Sequence, residues 1–198
     1  DNLLIKTMVP NRLFFTKGVG RHREQLISLK AALLSAGIER YNLSPVSSII
    51  PPDCKIISRD EGLKYLRPGE IVHCVVARAE TNESSRHIAA SIGYAIPSRK
   101  DLHGYIAAHQ TYGETDEKAG DYAEDLAATM LATTLGIDFD PTLAWDEKED
   151  IFKMSKEIVR THNITQSAEG KPDGLWTTVL AGAVLIKVKA KDLVGRLA

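Results

Sequence analysis

One stretch, YNLSPVSSIIPPDCK at residues 41–55, restricts the fold of this chain more than any other. An apolar run carrying two adjacent serines, Ser47 and Ser48, stops at Pro51 and Pro52. Proline has no ladder donor and drives the residue before it to extended geometry, so a strand here must end or reach a sheet edge near Ile50. Residues 38–50 are expected as a strand, with both hydroxyls in its buried middle. A buried hydroxyl without a partner costs about 1–3 kcal/mol. The serine pair therefore needs partners or a purpose, and a forced strand exit is a place where strain serves function.

Periodicity supplies the other elements. RLFFT at 12–16 reads as a short strand followed by a turn at KGVG. From His22 to Ala36 the pattern is helical, with Leu26, Leu29, Leu33 and Leu34 on one side and Gly37 at the stop. At 100° per residue Lys30 falls near the centre of that apolar arc, so it is expected to face inward. Strands are expected at 71–79 and 104–112, and a strand or short helix at 87–96. A long helix is expected from Thr115 to Leu135, with Asp116 and Glu117 in its first turn, Gly136 at its end, and Ala123, Leu126, Ala127, Met130 and Leu131 as its core face. Residues 151–166 and 175–189 read as a terminal pair of strands joined by AEGKPDG. The order predicts one α+β domain over 1–198, a sandwich of two sheets with helices on the outer faces.

Charge and composition narrow the function. With 25 basic against 26 acidic residues, the chain lacks the positive excess that nucleic acid or an anionic membrane requires, so a small-molecule partner is expected. Cys54 and Cys74 are too few for a disulfide framework and have no metal-ligand spacing, which points to a reduced, cytoplasmic setting. The first six residues include polar ones and show no signal-peptide core, and no apolar run reaches membrane-spanning length. The six histidines form no i, i+4 pair with a nearby carboxylate, so no metal is expected. GVGRHRE lacks the third glycine of a dinucleotide loop and reads as a plain turn. His162, in THNITQS, is either catalytic or part of a strand network.

Read with its neighbours, the serine pair acquires a meaning. YNLSPVSSIIPPDCK resembles the processing site of the pyruvoyl-dependent arginine decarboxylases, and FFTKGVGRH, AALLSAGI, GYAIPSRKDLHGY, GDYAEDLAATMLATTLGI and NITQSAEG resemble the bacterial branch of that family. The resemblance implies an αββα-type sandwich whose proenzyme cuts itself into a short β chain, here 1–47, and a longer α chain, 48–198. In the family's reaction the hydroxyl of the second serine, Ser48, attacks the carbonyl of Ser47 and turns the peptide bond into an ester. Elimination then frees the first fragment and leaves a dehydroalanine that hydrolyses to a pyruvoyl group. That ketone forms a Schiff base with the substrate amine and does the work of pyridoxal phosphate, which is not required. Arginine then loses CO2 to give agmatine, a polyamine precursor. The resemblance further implies Asn42 beside the pyruvoyl group, Leu33 and Ile49 against the substrate, and a homotrimer or hexamer with sites between subunits. For Asn42 the plain alternative is a strand-edge amide bonded to the backbone.

Two positions depart from the family pattern. Lys30 stands where the family has an acidic residue for the cationic end of arginine. Ala108 stands where the family has the glutamate that protonates the decarboxylated carbon. His109 is the candidate replacement donor, provided that a bulge or register slip turns it to the face of Ala108, because strand neighbours point to opposite faces. Glu114 lies beyond the strand. These departures leave two alternatives: the same chemistry on another amino acid, or an uncleaved, catalytically silent paralogue acting as a binding or assembly subunit.

Overall fold

Gly18 and Gly20 form the floor on which a helix rests. In the computed structural model, which describes residues 9–189, β1 (Arg12–His22) runs straight through the expected KGVG turn. Helix α1 (Gln25–Ala36) then folds back over it. A β-carbon at Gly18 would collide with the Ala32 carbonyl, and one at Gly20 with the Ser28 carbonyl. Close helix-to-strand approach, and not chain reversal, is what these glycines supply. The reversal after α1 falls to Gly37, which takes the left-handed conformation at φ 78°.

The chain continues through β2 (Asn42–Pro45), β3 (Ile49–Ile50), β4 (Lys55–Ile56) and the short helix α2 (Arg59–Leu63) to β5 (Ile71–Thr81), β6 (His87–Pro97) and β7 (Gly104–Tyr112). Helices α3 (Asp116–Leu135) and α4 (Trp145–Ser155) precede β8 (Ile158–Glu169) and β9 (Trp176–Ile186). The strands form a five-stranded sheet, β2-β5-β9-β1-β4, and a four-stranded sheet, β3-β7-β6-β8. Pairing is antiparallel except at β1/β4 and β2/β5. The expected α+β sandwich is the observed architecture.

Period-2 burial divides the core into three layers. Leu13, Val75, Ile88, Ile92 and Ile106 face their opposite numbers between the sheets, where Phe15 stacks on Tyr94 at 4.7 Å. Their strand neighbours Phe14, Cys74 and Val184 face the other way, against Ala32 and Ala36 of α1. Ala95 and Ala107 pack under Ala127 and Leu131 of α3, with Phe152 of α4 closing the end. α4 is tied to α3 by Lys148 Nζ, 2.6 Å from Asp125 Oδ2 and almost wholly buried.

Four sequence expectations are corrected. The strand expected over 38–50 is two short pieces in different sheets, and the serines lie between them. The first half of the strand expected at 151–166 is α4, whose partly buried Trp145 and Ile151 and buried Phe152 follow a helical spacing. β8 and β9 do not pair: β8 lies beside β6, and β9 between β1 and β5, so the AEGKPDG turn crosses from one sheet to the other. Lys30 is exposed, while Ser28, Ala32 and Ala36 are the fully buried residues of α1. The small side chains face the sheet because the glycine floor brings the helix axis too close for leucines. The expectation drawn from the first six residues lies outside the described residues. Among the described residues no helix is long and apolar enough to cross a membrane.

Candidate active site

The serines occupy the crossing between the two sheets. β2 pairs in parallel with the first part of β5, from Asn42 opposite Ile71 to Pro45 opposite Cys74, and the Val46 N–H still bonds the Cys74 carbonyl at 3.0 Å. The chain then leaves this sheet and joins the other, where Ile49 pairs with Tyr105 and Ile50 with Gly104 of β7. Pro51 ends the pairing, as its missing donor requires. Ser47 is exposed and Ser48 half-buried, so neither hydroxyl lies in a buried strand as expected.

Two main-chain hydrogen bonds set the local geometry. The Ile49 N–H donates to the Ser47 carbonyl at 3.0 Å, an i to i+2 bond that makes a γ-turn about Ser48. The Ile106 N–H donates to the Ser48 carbonyl at 2.7 Å, continuing the β3/β7 ladder by one residue. Gly104 lets β7 close on β6 at this end, since a β-carbon there would sit 2.5 Å from the Ala95 carbonyl, while the Ile50 side chain, 3.4 Å away, would be in ordinary contact. Ile50 is buried and anchors β3, whereas Ile49 is 40% exposed.

The other candidates are distributed around this crossing. Asn42 begins β2, where its amide donates to the Gly69 carbonyl at 2.8 Å, the strand-edge arrangement. β2 rises about 3.3 Å per residue, so Asn42 of this chain is carried away from Ser48. Leu33 lines a cleft of about 250 Å³ together with Leu29, Leu43, Pro45, Val76 and Arg78. Pro45 at its rim is two residues from Ser47. Lys30 is not among the lining residues.

The bulge that would turn His109 to the face of Ala108 is absent. β6 and β7 stay in register throughout, with Ile92 opposite Ala108 and Ser91 opposite His109, and no bulge intervenes. Ala108 therefore shares its face with Ile106, at the exposed margin between the sheets, while His109 turns to the α3 side. Its ring lies 4.5 Å from that of Tyr122, and its Nε2 is 3.7 Å from Glu114 Oε2. His162 is exposed and meets the edge of Tyr94 at 6.1 Å, a ring contact remote from the serine crossing in sequence and sheet position.

Sequence reading missed a buried polar chain in this half of the molecule. Asn163 Nδ2 donates to Glu124 Oε2 at 2.9 Å, the Thr165 hydroxyl donates to Asn163 Oδ1 at 3.1 Å, and the hydroxyls of Thr165 and Ser91 are 2.8 Å apart. The signal was a carboxylate inside the alanine-rich face of α3. Cys54, six residues after Ser48, is not a competing nucleophile: burial pushes its thiol up to about 11, against a smaller downward pull from Arg12.

A pyruvoyl group made from Ser48 would fit these surroundings, because the ladder bond from Ile106 holds a carbonyl that such a conversion would leave in place. Scission between Ser47 and Ser48 would break no sheet, since β1 and β2 are paired with β9 and β5.

The comparisons agree with this geometry. The family model of the pyruvoyl-dependent arginine decarboxylases matches residues 12–190. A probable pyruvoyl-dependent arginine decarboxylase of Chloroherpeton thalassium is 61% identical over 180 residues, covering 91% of this chain and 99% of that protein. A protein of the same name from Chlorobaculum tepidum is 58% identical over the same length. Pyruvoyl-dependent arginine decarboxylase 2 of Methanosarcina acetivorans is 52% identical over 182 residues, 92% of this chain and all of that protein. With a serine pair held at a crossing between sheets, and a match that spans the sandwich, the chain belongs to the pyruvoyl-dependent arginine decarboxylase family.

Proposed function

We propose that the chain cuts itself between Ser47 and Ser48 and that the matured protein converts L-arginine to agmatine and CO2. The observation that carries this reading is the state of the Ser47–Ser48 bond: it lies in an accessible loop between two sheet edges, with a donor on each of its flanking carbonyls. The Ser48 hydroxyl adds to the Ser47 carbonyl carbon, and the Ile49 N–H draws charge toward the oxygen that becomes negative. The group so formed supplies a ketone that binds the substrate amine and withdraws electrons as CO2 departs. Ser48 is the precursor, and Ser47 becomes the end of the first fragment. The two fragments, 1–47 and 48–198, remain one domain because each sheet draws strands from the longer fragment.

Leu33 and the cleft beside Pro45 offer apolar surface for the methylene chain of arginine, and Ile49 flanks the reacting position. Asn42 and Lys30 lie away from Ser48 of their own chain, so their action on substrate belongs to a neighbouring subunit. Assembly as a trimer, or a pair of trimers, is supported by α1, where exposed Leu26 and Leu34 flank Lys30 at one-turn spacing. It is also supported by the lengths of β5 and β7 left open where β2 and β3 end. The two free thiols fit a cytoplasmic setting.

Intact-mass analysis of the purified protein tests the reading. Two fragments divided between residues 47 and 48, the larger blocked at its N-terminus, are expected, together with agmatine formation without added pyridoxal phosphate. A chain that stays whole after prolonged incubation refutes it.

A further inference from the structure

The Ile106 N–H extends the pairing of β3 with β7 to Ser48. It points at the Ser48 carbonyl oxygen from 2.7 Å, the shorter of the two main-chain bonds at the serine pair. Most ladder carbonyls are chemically inert. This one is different if Ser48 is converted, because its carbonyl carbon is then bonded directly to the ketone carbon and shares its conjugation.

We infer that the Ile106 N–H is an oxyanion donor of the decarboxylation step, acting on the Ser48 carbonyl oxygen; the inference rests on the proposed conversion of Ser48. When the bond between the substrate α-carbon and its carboxylate breaks, CO2 leaves without the bonding pair. That pair passes through the conjugated system to the Ser48 carbonyl, whose oxygen gains the negative charge. It returns to the α-carbon when that carbon takes up a proton, drawn finally from water, and the Ser48 carbonyl is restored. No oxidant or reductant enters. A hydrogen bond to this oxygen is stronger when charge is present than when it is absent, which is the condition for speeding the chemical step.

The donor is preorganised. Ile106 is fully buried between the sheets, its neighbour Ala107 is buried beneath α3, and β7 is held in regular register by β6 on its other side. On the partner strand, buried Ile50 and the following prolines fix β3, and Gly104 lets β7 lie close against β6, where a β-carbon would meet the Ala95 carbonyl. Neither end of the hydrogen bond has to reorganise as charge develops. The role is carried by the backbone, so it leaves no trace in the identity of residue 106.

Replacing isoleucine 106 by its α-hydroxy acid, which swaps the N–H for an ester oxygen and keeps the side chain, tests the assignment. The same replacement at Gln110, beyond the residues that β3 pairs, is the control. The Ile106 ester is expected to cleave itself, to keep its KM for arginine and to lose about 10²–10³-fold in kcat, while the Gln110 ester stays within a few-fold of native. Infrared spectroscopy of matured protein labelled with ¹³C and ¹⁸O at the Ser48 carbonyl gives a readout independent of turnover: its band should move to higher frequency in the Ile106 ester. In native matured protein the same band should lie below that of an unbonded amide. A kcat close to native, equal losses in both esters, or an unmoved band overturns the assignment. Should the Ile106 ester fail to mature, the native band decides, and a frequency typical of an unbonded carbonyl overturns it. A native chain that does not cleave removes the proposed function, and this assignment with it; a native chain that cleaves and turns over, with an unaffected Ile106 ester, removes the assignment alone.

Discussion

Ala108 and His109 are neighbours on β7 that face opposite layers, Ala108 the open margin between the sheets and His109 the ring of Tyr122 on α3 at 4.5 Å. The regular β6/β7 register fixes this division. Ala108→Glu places a carboxyl on the Ile106 face, where the resemblance implies a proton donor, and is expected to raise kcat for arginine by up to about 10²-fold with little change in KM. His109→Ala should leave kcat within a few-fold. Steady-state kinetics on both variants checks the pair of expectations, and a large loss in His109→Ala with no gain in Ala108→Glu contradicts the facing described above.

Ser48→Ala removes the only hydroxyl that can attack the Ser47 carbonyl through a five-membered ring. The variant should stay whole by denaturing electrophoresis at all incubation times. Its urea midpoint should remain near that of the native protein, because Ser48 is half-buried and its side chain belongs to no ladder.

Gly18→Ala tests the glycine floor. The new methyl group meets the Ala32 carbonyl and crowds Ala36, so α1 must move off β1. A loss of about 1–3 kcal/mol in stability is expected from chemical denaturation, whereas alanine at Gly69, whose β-carbon would meet open space, tests only its positive φ of 83°.

The pair Lys148–Asp125 is a buried ion pair, supported by the Thr129 hydroxyl donating to the other Asp125 oxygen at 3.0 Å. Lys148→Met alone strands the carboxylate and should cost about 3 kcal/mol. The double change Lys148→Met, Asp125→Leu should recover most of that loss. Unfolding curves for the two variants separate a broken pair from a needed one.

Burial raises the Cys54 thiol from an ordinary value of 9.0 to about 11. A folded-state value above the unfolded one gives stability that is fully present below about pH 9 and lost as pH rises through 11. Alkylation by iodoacetamide at pH 8 should therefore be slow in the folded protein and fast in urea. The alkaline fall in stability between pH 9 and 11 should shrink in Cys54→Ala.

Much of the fold, and the local chemistry around the serine pair, was legible in the sequence. The serine pair, the forced exit at Pro51, the long helix α3 with its acidic first turn and closing Gly136, and the strands at 71–79 and 104–112 depend on local chemistry: a missing amide donor, a left-handed glycine, an alternation of period two. The sandwich itself followed from the order of those elements. What failed were the inferences about which surface an element would meet, and the strand expected from residue 151, whose first residues end α4. Lys30 lies on the leucine arc of α1, yet the glycines of β1 bring the helix so close that Ser28, Ala32 and Ala36 take the buried face, Leu29 and Leu33 pack at its edge, and Lys30 turns outward with Leu26 and Leu34. KGVG read as a turn because glycine tolerates turns, and only the helix above it reveals that close approach is its use. The run at 38–50 became two strands in two sheets, and β8 and β9 parted to opposite layers. Periodicity records how often a residue is buried along one element, so the sequence alone determined most of the elements and the serine pair with its proline exit. Which layer each element joins, which face of β7 carries Ala108, and which N–H meets the Ser48 carbonyl were decided by packing between residues far apart in the chain, where one close contact excludes every alternative register.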